Sequence, residues 1–269
     1  MKALAILLGI PFTLVLAQDN NGRGVKAIAL ANAFVAVADN SWAVTYNPAG
    51  LAELDCPEVS AFFVPQQFGL PELKNVALSG TCPTTLGTFG ASVEQFGFDL
   101  YRTSTIRFGH GVSLDSLFSV GGTVTVDRVA IARYGVTHTL TFDIGLLGRP
   151  VKDLRVGCCV RNFTASTIGR GRERLPQYVL LGLCYLPVEG FRITSEAEKD
   201  LQFPLVLKVG VEQQFFGFLS LRCGVANNPE KVSAGLAVRY SAIEFGYAGY
   251  SHPELGWTHQ IEICTRWGK

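Results

Sequence analysis

The sequence predicts an all-β fold, a transmembrane antiparallel β-barrel of about 14 strands with a small N-terminal α-helical hatch in the lumen. Three observations carry that reading. The 269-residue chain is 48% hydrophobic and only 17% charged, with a mean hydropathy of +0.26. Yet no apolar run beyond its N-terminus is long enough for a membrane helix. From residue 58 onward, apolar and polar residues alternate with period two. Aromatic residues stand at the ends of the apolar faces, as they do at the two interfaces of a membrane barrel. The formal charge of +1 gives no electrostatic case for nucleic acid, and the low charge density excludes a disordered chain.

Residues 1–17 read as a secretory signal peptide. Lys2 supplies the positive start, Ala3 to Ala17 the apolar run, and Val15 and Ala17 the small residues before the cleavage point. No cysteine follows that point directly, which argues against a lipoprotein. Residues 18–57 come next as an N-terminal hatch or plug. The stretch 22–52 is rich in alanine and lacks alternation, so Ala27 to Ala38 is expected to form a short helix stopped at Asp39-Asn40. Asn47-Pro48 marks a turn, and Pro48 can start a second short helix.

Residues 58–269 make the barrel. Candidate strands fall near 58–66, 73–82, 87–96, 101–113, 117–129, 134–146 and 153–164. Seven more fall near 176–186, 190–198, 203–214, 217–225, 231–240, 242–250 and 256–267. Fourteen is even, as a closed single-chain bacterial barrel requires. The segment 190–198 is the least regular, because Glu196 and Glu198 interrupt it. On the last strand Trp257, His259, Ile261, Ile263 and Trp267 share one face, with Thr258, Gln260, Glu262 and Arg266 opposite. Ten residues at ~3.3 Å each, tilted ~40–45°, set Trp257 and Trp267 about 24 Å apart along the normal, the spacing of two aromatic girdles. A secreted β-sandwich also alternates; the small and singly charged polar faces favour a lumen.

The stretch GRGVKAIALANAFVAVADNSWAVTYNPAGLAEL resembles the N-terminal signature of the FadL-type and PorV/PorQ-type outer-membrane proteins. Tyr46, Asn47, Pro48, Ala49 and Gly50 match its ending, an aromatic followed by Asn-Pro-Ala. The likeness extends through Gln95-Phe96-Gly97, the run from Thr141 to Pro150, and Glu198-Lys199-Asp200. It is nearer the PorV/PorQ branch than the fatty-acid transporters. The resemblance implies a 14-stranded barrel with an N-terminal hatch, set in outer-membrane lipid of a bacterial cell. It implies passage of small hydrophobic molecules or, alternatively, an accessory role in type IX-like protein secretion with secretion-machinery partners. Tyr46 to Gly50 are then either a gate or simply a turn and cap, with Asn47 the anchor. The inferred connections are short, the longest near 165–175, which suits a narrow plugged conduit or a structural partner better than a loop-built docking site.

No catalytic constellation is legible. His110, His138, His252 and His259 are scattered, no Ser/His/Asp spacing recurs, and no glycine-rich phosphate loop precedes a helix. Neither a metal site nor a cofactor is indicated. The alternation does direct Arg107, Asp127, Arg155, Arg161, Lys208, Glu212, Arg222, Arg239, Glu244, Glu262 and Arg266 into the lumen. Both signs are present, so they form either a salt-bridged network around the hatch or a selective polar pathway. Seven cysteines are an odd number. Cys56 with Cys82, and Cys159 with Cys184, are candidate disulfides from their symmetric placement about two hairpins; otherwise they are small fillers of strand surfaces.

Overall fold

The computed structural model describes residues 22–169, 173–201 and 203–268. The expected signal peptide lies outside them. Fourteen strands form one closed antiparallel barrel. They are β1 (Glu58–Val64), β2 (Asn75–Thr84), β3 (Gly87–Gly97), β4 (Tyr101–Ser113), β5 (Phe118–Ile131), β6 (Gly135–Val151) and β7 (Leu154–Arg161). A two-stranded hairpin follows, β8 (Thr167–Ile168) with β9 (Glu173–Arg174). The barrel continues with β10 (Tyr178–Val188), β11 (Phe191–Asp200), β12 (Val206–Phe215), β13 (Leu219–Ala226), β14 (Lys231–Tyr240), β15 (Ile243–His252) and β16 (Gly256–Arg266). Each strand pairs with its sequence neighbour, β10 pairs with β7, and β1 closes the cylinder on β16 from Glu58↔Arg266 to Phe63↔Ile261. Closure of β1 on β16 leaves no open seam between the first and last strands, which a lipid environment demands because it offers backbone groups no water.

The side-chain period of two then decides everything about the faces. On β10, Leu181, Leu183 and Tyr185 are exposed, while Leu180, Gly182 and Cys184 are buried. On β12, Leu207 and Val209 point outward, Lys208 and Glu212 inward. On β6, Leu140 is exposed and Thr139 buried. The exposed apolar band therefore wraps the outside, and the buried groups meet inside. Trp257 and Trp267 are both about half exposed, Trp257 at the start of β16 and Trp267 just past its end.

One end of the barrel carries the C-terminal end of the described chain and tight turns, such as residues 85–86, 152–153, 189–190 and 241–242. The other end carries the longer connections, residues 65–74 and 162–177. β7 stops at Arg161, so the outer part of β6 lacks a strand partner on that side. The connection holds it instead: Phe163 N–H donates to the Phe142 carbonyl at 3.0 Å, and Ser166 Oγ to that of Leu140 at 2.6 Å.

The register overturns both disulfides. Cys159 faces Leu180 and Cys184 faces Arg155, four residues further along the strand. Glu58 pairs with Thr81, so continuing that register sets Cys56 against Pro83 rather than Cys82. All seven cysteines are free thiols, with Cys82 and Cys223 exposed and Cys159, Cys184 and Cys264 buried. Symmetry about a hairpin tip located the strands but missed their register by one residue in one pair and four in the other.

Candidate functional site

The lumen is filled by residues 22–53. Val25, Ile28, Leu30, Phe34, Val37, Trp42, Val44 and Leu51 are buried almost completely. All of these except Val44 and Leu51 pack on Phe62, Val64, Ala77, Ala248 and Tyr250 of the wall. Inward glycines make room where the segment touches the wall. A Cβ on Gly145 would run into the Asn47 side chain, and one on Gly121 into the Pro48 backbone.

The expected helix from Ala27 to Ala38 is not formed. An α-helix covers only Val25–Ala29 (α1), followed by left-handed Ala31 (φ 53°) and Asn32 (φ 63°). Wall side chains take the amides that would have continued it. Ala31 N–H donates to Ser233 Oγ at 3.0 Å, and those of Phe34 and Val35 donate to Glu196 Oε2 at 2.9 and 2.8 Å. Two further short pieces follow, the helix Ala43–Tyr46 (α2) and a 3₁₀ turn at Pro48–Glu53.

Asn47 lies between these pieces, fully buried. Its amide donates to the Val35 carbonyl at 2.8 Å and to the β6 carbonyl of Leu146 at 3.1 Å. Its Oδ1 accepts the Ala49 N–H at 3.1 Å and so caps the 3₁₀ turn. Pro48 and Gly50 are buried in the same turn. The Tyr46 hydroxyl accepts the Arg23 N–H at 2.7 Å and donates toward the Arg23 carbonyl at 3.0 Å. Burial pushes the Tyr46 phenol well above its ordinary value, so it stays neutral.

Carboxylates of the wall do most of the holding, and sequence reasoning missed them in this role. Glu196 grips the chain at Phe34 and Val35. Glu58 Oε1 accepts the Ser41 N–H at 2.7 Å. Glu262 accepts the Val25 N–H at 2.5 Å and Trp42 Nε1–H at 2.8 Å. The two glutamates that disturb the alternation of 190–198 are inward-facing residues of β11, bridged by Lys208 Nζ at 2.8 Å from Glu196 and 2.5 Å from Glu198.

Near the terminus end the ions form a circumferential chain. Asp39 pairs with Lys26 at 2.8 Å and Arg192 at 2.7 Å. Both cations also approach Glu212 at 3.4 Å, and Arg222 joins Glu212 at 3.0 Å. Glu244 takes Arg239 at 2.6 Å and Arg266 at 3.7 Å, and Arg266 reaches Glu58 at 2.5 Å. Arg155 binds Glu53 of the filled segment, as does Arg149 at 2.6 Å. Nearer the loop end, Glu94 binds Arg23 at 2.5 Å and Arg107 at 3.3 Å, and Asp127 accepts Thr105 Oγ1–H at 2.5 Å. Arg161 forms no ion pair among the described residues; its guanidinium stands 5.6 Å from the Tyr46 ring centroid.

Asp39 is a member of this network that lies outside the strands. Burial disfavours its charge, but Lys26 and Arg192 outweigh burial and hold its carboxyl well below the usual carboxylate range. A depressed native value makes the contribution fully present above the unfolded value of about 3.9 and lost as pH falls through the native one. The thermal unfolding midpoint in detergent is therefore expected to fall below about pH 4. Asp39→Asn should lower stability at neutral pH and flatten that acid limb. An unchanged limb would show that Asp39 does not carry it.

Cavities remain toward both ends of the lumen. One, of about 90 Å³, lies toward the loop end among Tyr46, Arg107, Thr125, Asp143, Arg161 and Pro176. Another, of about 460 Å³, lies at the terminus end among Cys56, Arg239, Glu244, Cys264, Arg266 and Trp267. Among the described residues no cluster of three or more histidine, cysteine or acidic side chains is placed to hold a metal ion.

No protein-family model and no curated protein matches the chain. Solved structures do match the fold. The CymD monoaromatic hydrocarbon channel is similar with a TM-score of 0.68 at 12% identity, over 93% of this chain and 99% of that one. The Ralstonia pickettii toluene transporter TbuX gives 0.69 at 11% identity, and the P. putida toluene transporter TodX 0.69 at 12%. Each of the two is covered over 100% of its chain and 93% of this one. A Pseudomonas aeruginosa FadL homologue gives 0.63 at 12%, over 91% of this chain and 98% of that one. The barrel is FadL-like in fold.

Proposed function

We propose that the chain is a bacterial outer-membrane channel that passes small hydrophobic molecules across the membrane. Residues 1–17 would be its secretory leader, 18–57 its hatch and 58–269 its barrel. The observation that carries this reading is the near-complete mutual coverage with a hydrocarbon channel and two toluene transporters. The filled lumen agrees with it, because an apolar seam between the inner segment and the β1/β2/β15 wall would give an apolar solute a path that excludes ions. Tyr46 to Gly50 would then be the gate of the hatch, with Asn47 its anchor. The finer likeness to the PorV/PorQ branch rests on the N-terminal motif, and no structural neighbour supports secretion partners.

Radiolabelled toluene uptake by cells expressing the chain, in a host without its own hydrocarbon channels, tests the proposal. Uptake is expected to run several-fold faster than in cells carrying an empty vector. Equal uptake would sink the conduit reading, and copurification with secreted proteins would move the chain to the accessory role.

A further inference from the structure

Three successive inward residues of β16 have unlike surroundings. Thr258 Oγ1 accepts the N–H of Phe68 at 2.9 Å and so holds the 65–74 connection over the lumen. Glu262 holds the inner segment through Trp42 and Val25. Gln260 lies between them, 1% exposed, and neither end of its amide meets a hydrogen-bond partner among the described residues. It stands opposite Ala248 and one step beyond the Phe63↔Ile261 pair, at the level of Val64. Ala248 and Val64 belong to the same buried apolar cluster as Phe62, Trp42 and Tyr250.

Above this point Phe68 acts as a cover. Its ring stands edge-on to Tyr250 at 6.1 Å and to His252 at 5.5 Å. Its φ of 54°, followed by Gly69 at 77°, is a left-handed conformation that a bulky residue adopts only when its surroundings impose it. The ring is thereby turned inward while Leu70, two residues on, remains half exposed.

A buried amide with neither end bonded is costly and rare; Ala248 and Val64 beside it offer no polar side chain, and Thr258 and Glu262 are engaged with Phe68, Trp42 and Val25. We infer that Gln260 is the recognition group of a transit site beneath Phe68, and that its ligand is a small, mainly apolar molecule bearing one hydroxyl group. The amide oxygen accepts the hydroxyl proton and the amide nitrogen donates to the hydroxyl oxygen of a molecule in transit. A hydrocarbon without that hydroxyl would leave the amide unpaired, so the site discriminates by hydrogen bonding rather than by size. This rests on the conduit reading but sharpens its substrate class from hydrocarbons toward phenols.

Calorimetric titration of the full chain in detergent with p-cresol and with toluene tests the site. In Gln260→Leu the affinity for p-cresol should fall about tenfold, the worth of two modest hydrogen bonds, while that for toluene holds or rises. Gln260→Met repeats the test with a more adaptable side chain should the leucine variant lose its unboiled gel shift. Phe68→Ala should speed binding of both probes and leave their affinity ratio unchanged. A p-cresol affinity unaltered in both Gln260 variants, or no binding of p-cresol to the unaltered chain, would overturn the site. Binding with this preference but no cellular uptake would overturn the conduit and leave the site standing. Uptake without the preference would overturn the site alone.

Discussion

Deletion of residues 22–46 is expected to turn a closed barrel into an ion-conducting pore. The deleted stretch contributes α1, α2, Phe34 and Trp42, the bulk of what fills the lumen. Its loss frees Glu196 and Glu262 of the amide donors they now accept, and carboxylates without partners draw in water. The wall itself is held by strand pairing that runs unbroken from β1 round to β16, so the variant should still insert and still run faster unboiled than boiled. Planar bilayers should then register conductance steps absent from the intact chain. Asn47→Ala should produce a milder leak, since it costs roughly the 1–3 kcal/mol of a buried partner left unsatisfied. Conductance at the wild-type level in the deletion variant would mean that the segment is not what closes the lumen.

A charge on the outer face should be punished according to depth. Ile261, 53% exposed, lies near the midpoint between Trp257 and Trp267. Ile261→Arg is therefore expected to cost about 2–4 kcal/mol, the worth of an arginine at the bilayer midplane. Trp267→Arg, at the interface, should cost about 0–1 kcal/mol from the charge itself. Reversible unfolding in urea from lipid vesicles measures both. Equal costs would place the midplane elsewhere along β16, and no cost at Ile261 would deny that this face meets lipid.

The fold was legible because a barrel strand advertises itself twice, by its period and by its aromatic ends. Every one of the fourteen expected strands corresponds to an observed one, even 190–198, where Glu196 and Glu198 looked like interruptions. They weakened the signal because the residues that alternate with them, Ser195 and Ala197, give the outward face little apolar character, while amides and Lys208 meet the two carboxylates inside. The register was less legible. Pairing depends on turn geometry, and a shift of one residue leaves the composition of each strand unchanged. This is why Cys56 and Cys82, or Cys159 and Cys184, could be placed on neighbouring strands without being placed together.

The sequence by itself determined the strands, their count and the face each residue presents, since alternation is a local property that no distant contact alters. An even number of such strands closes as a barrel of β1 on β16. Only the tertiary structure decided the path of residues 22–53 and the identity of its anchors. Alanine-rich sequence favours a helix in isolation, but inside the barrel Glu196 and Ser233 offer bonds that a short helix cannot match. The pairing of Asp39 with Arg192, 153 residues away, and the isolation of Gln260 follow from the same cause. Both are set by which wall residues happen to surround a folded segment, and that is fixed by packing across the lumen rather than by any pattern along the chain.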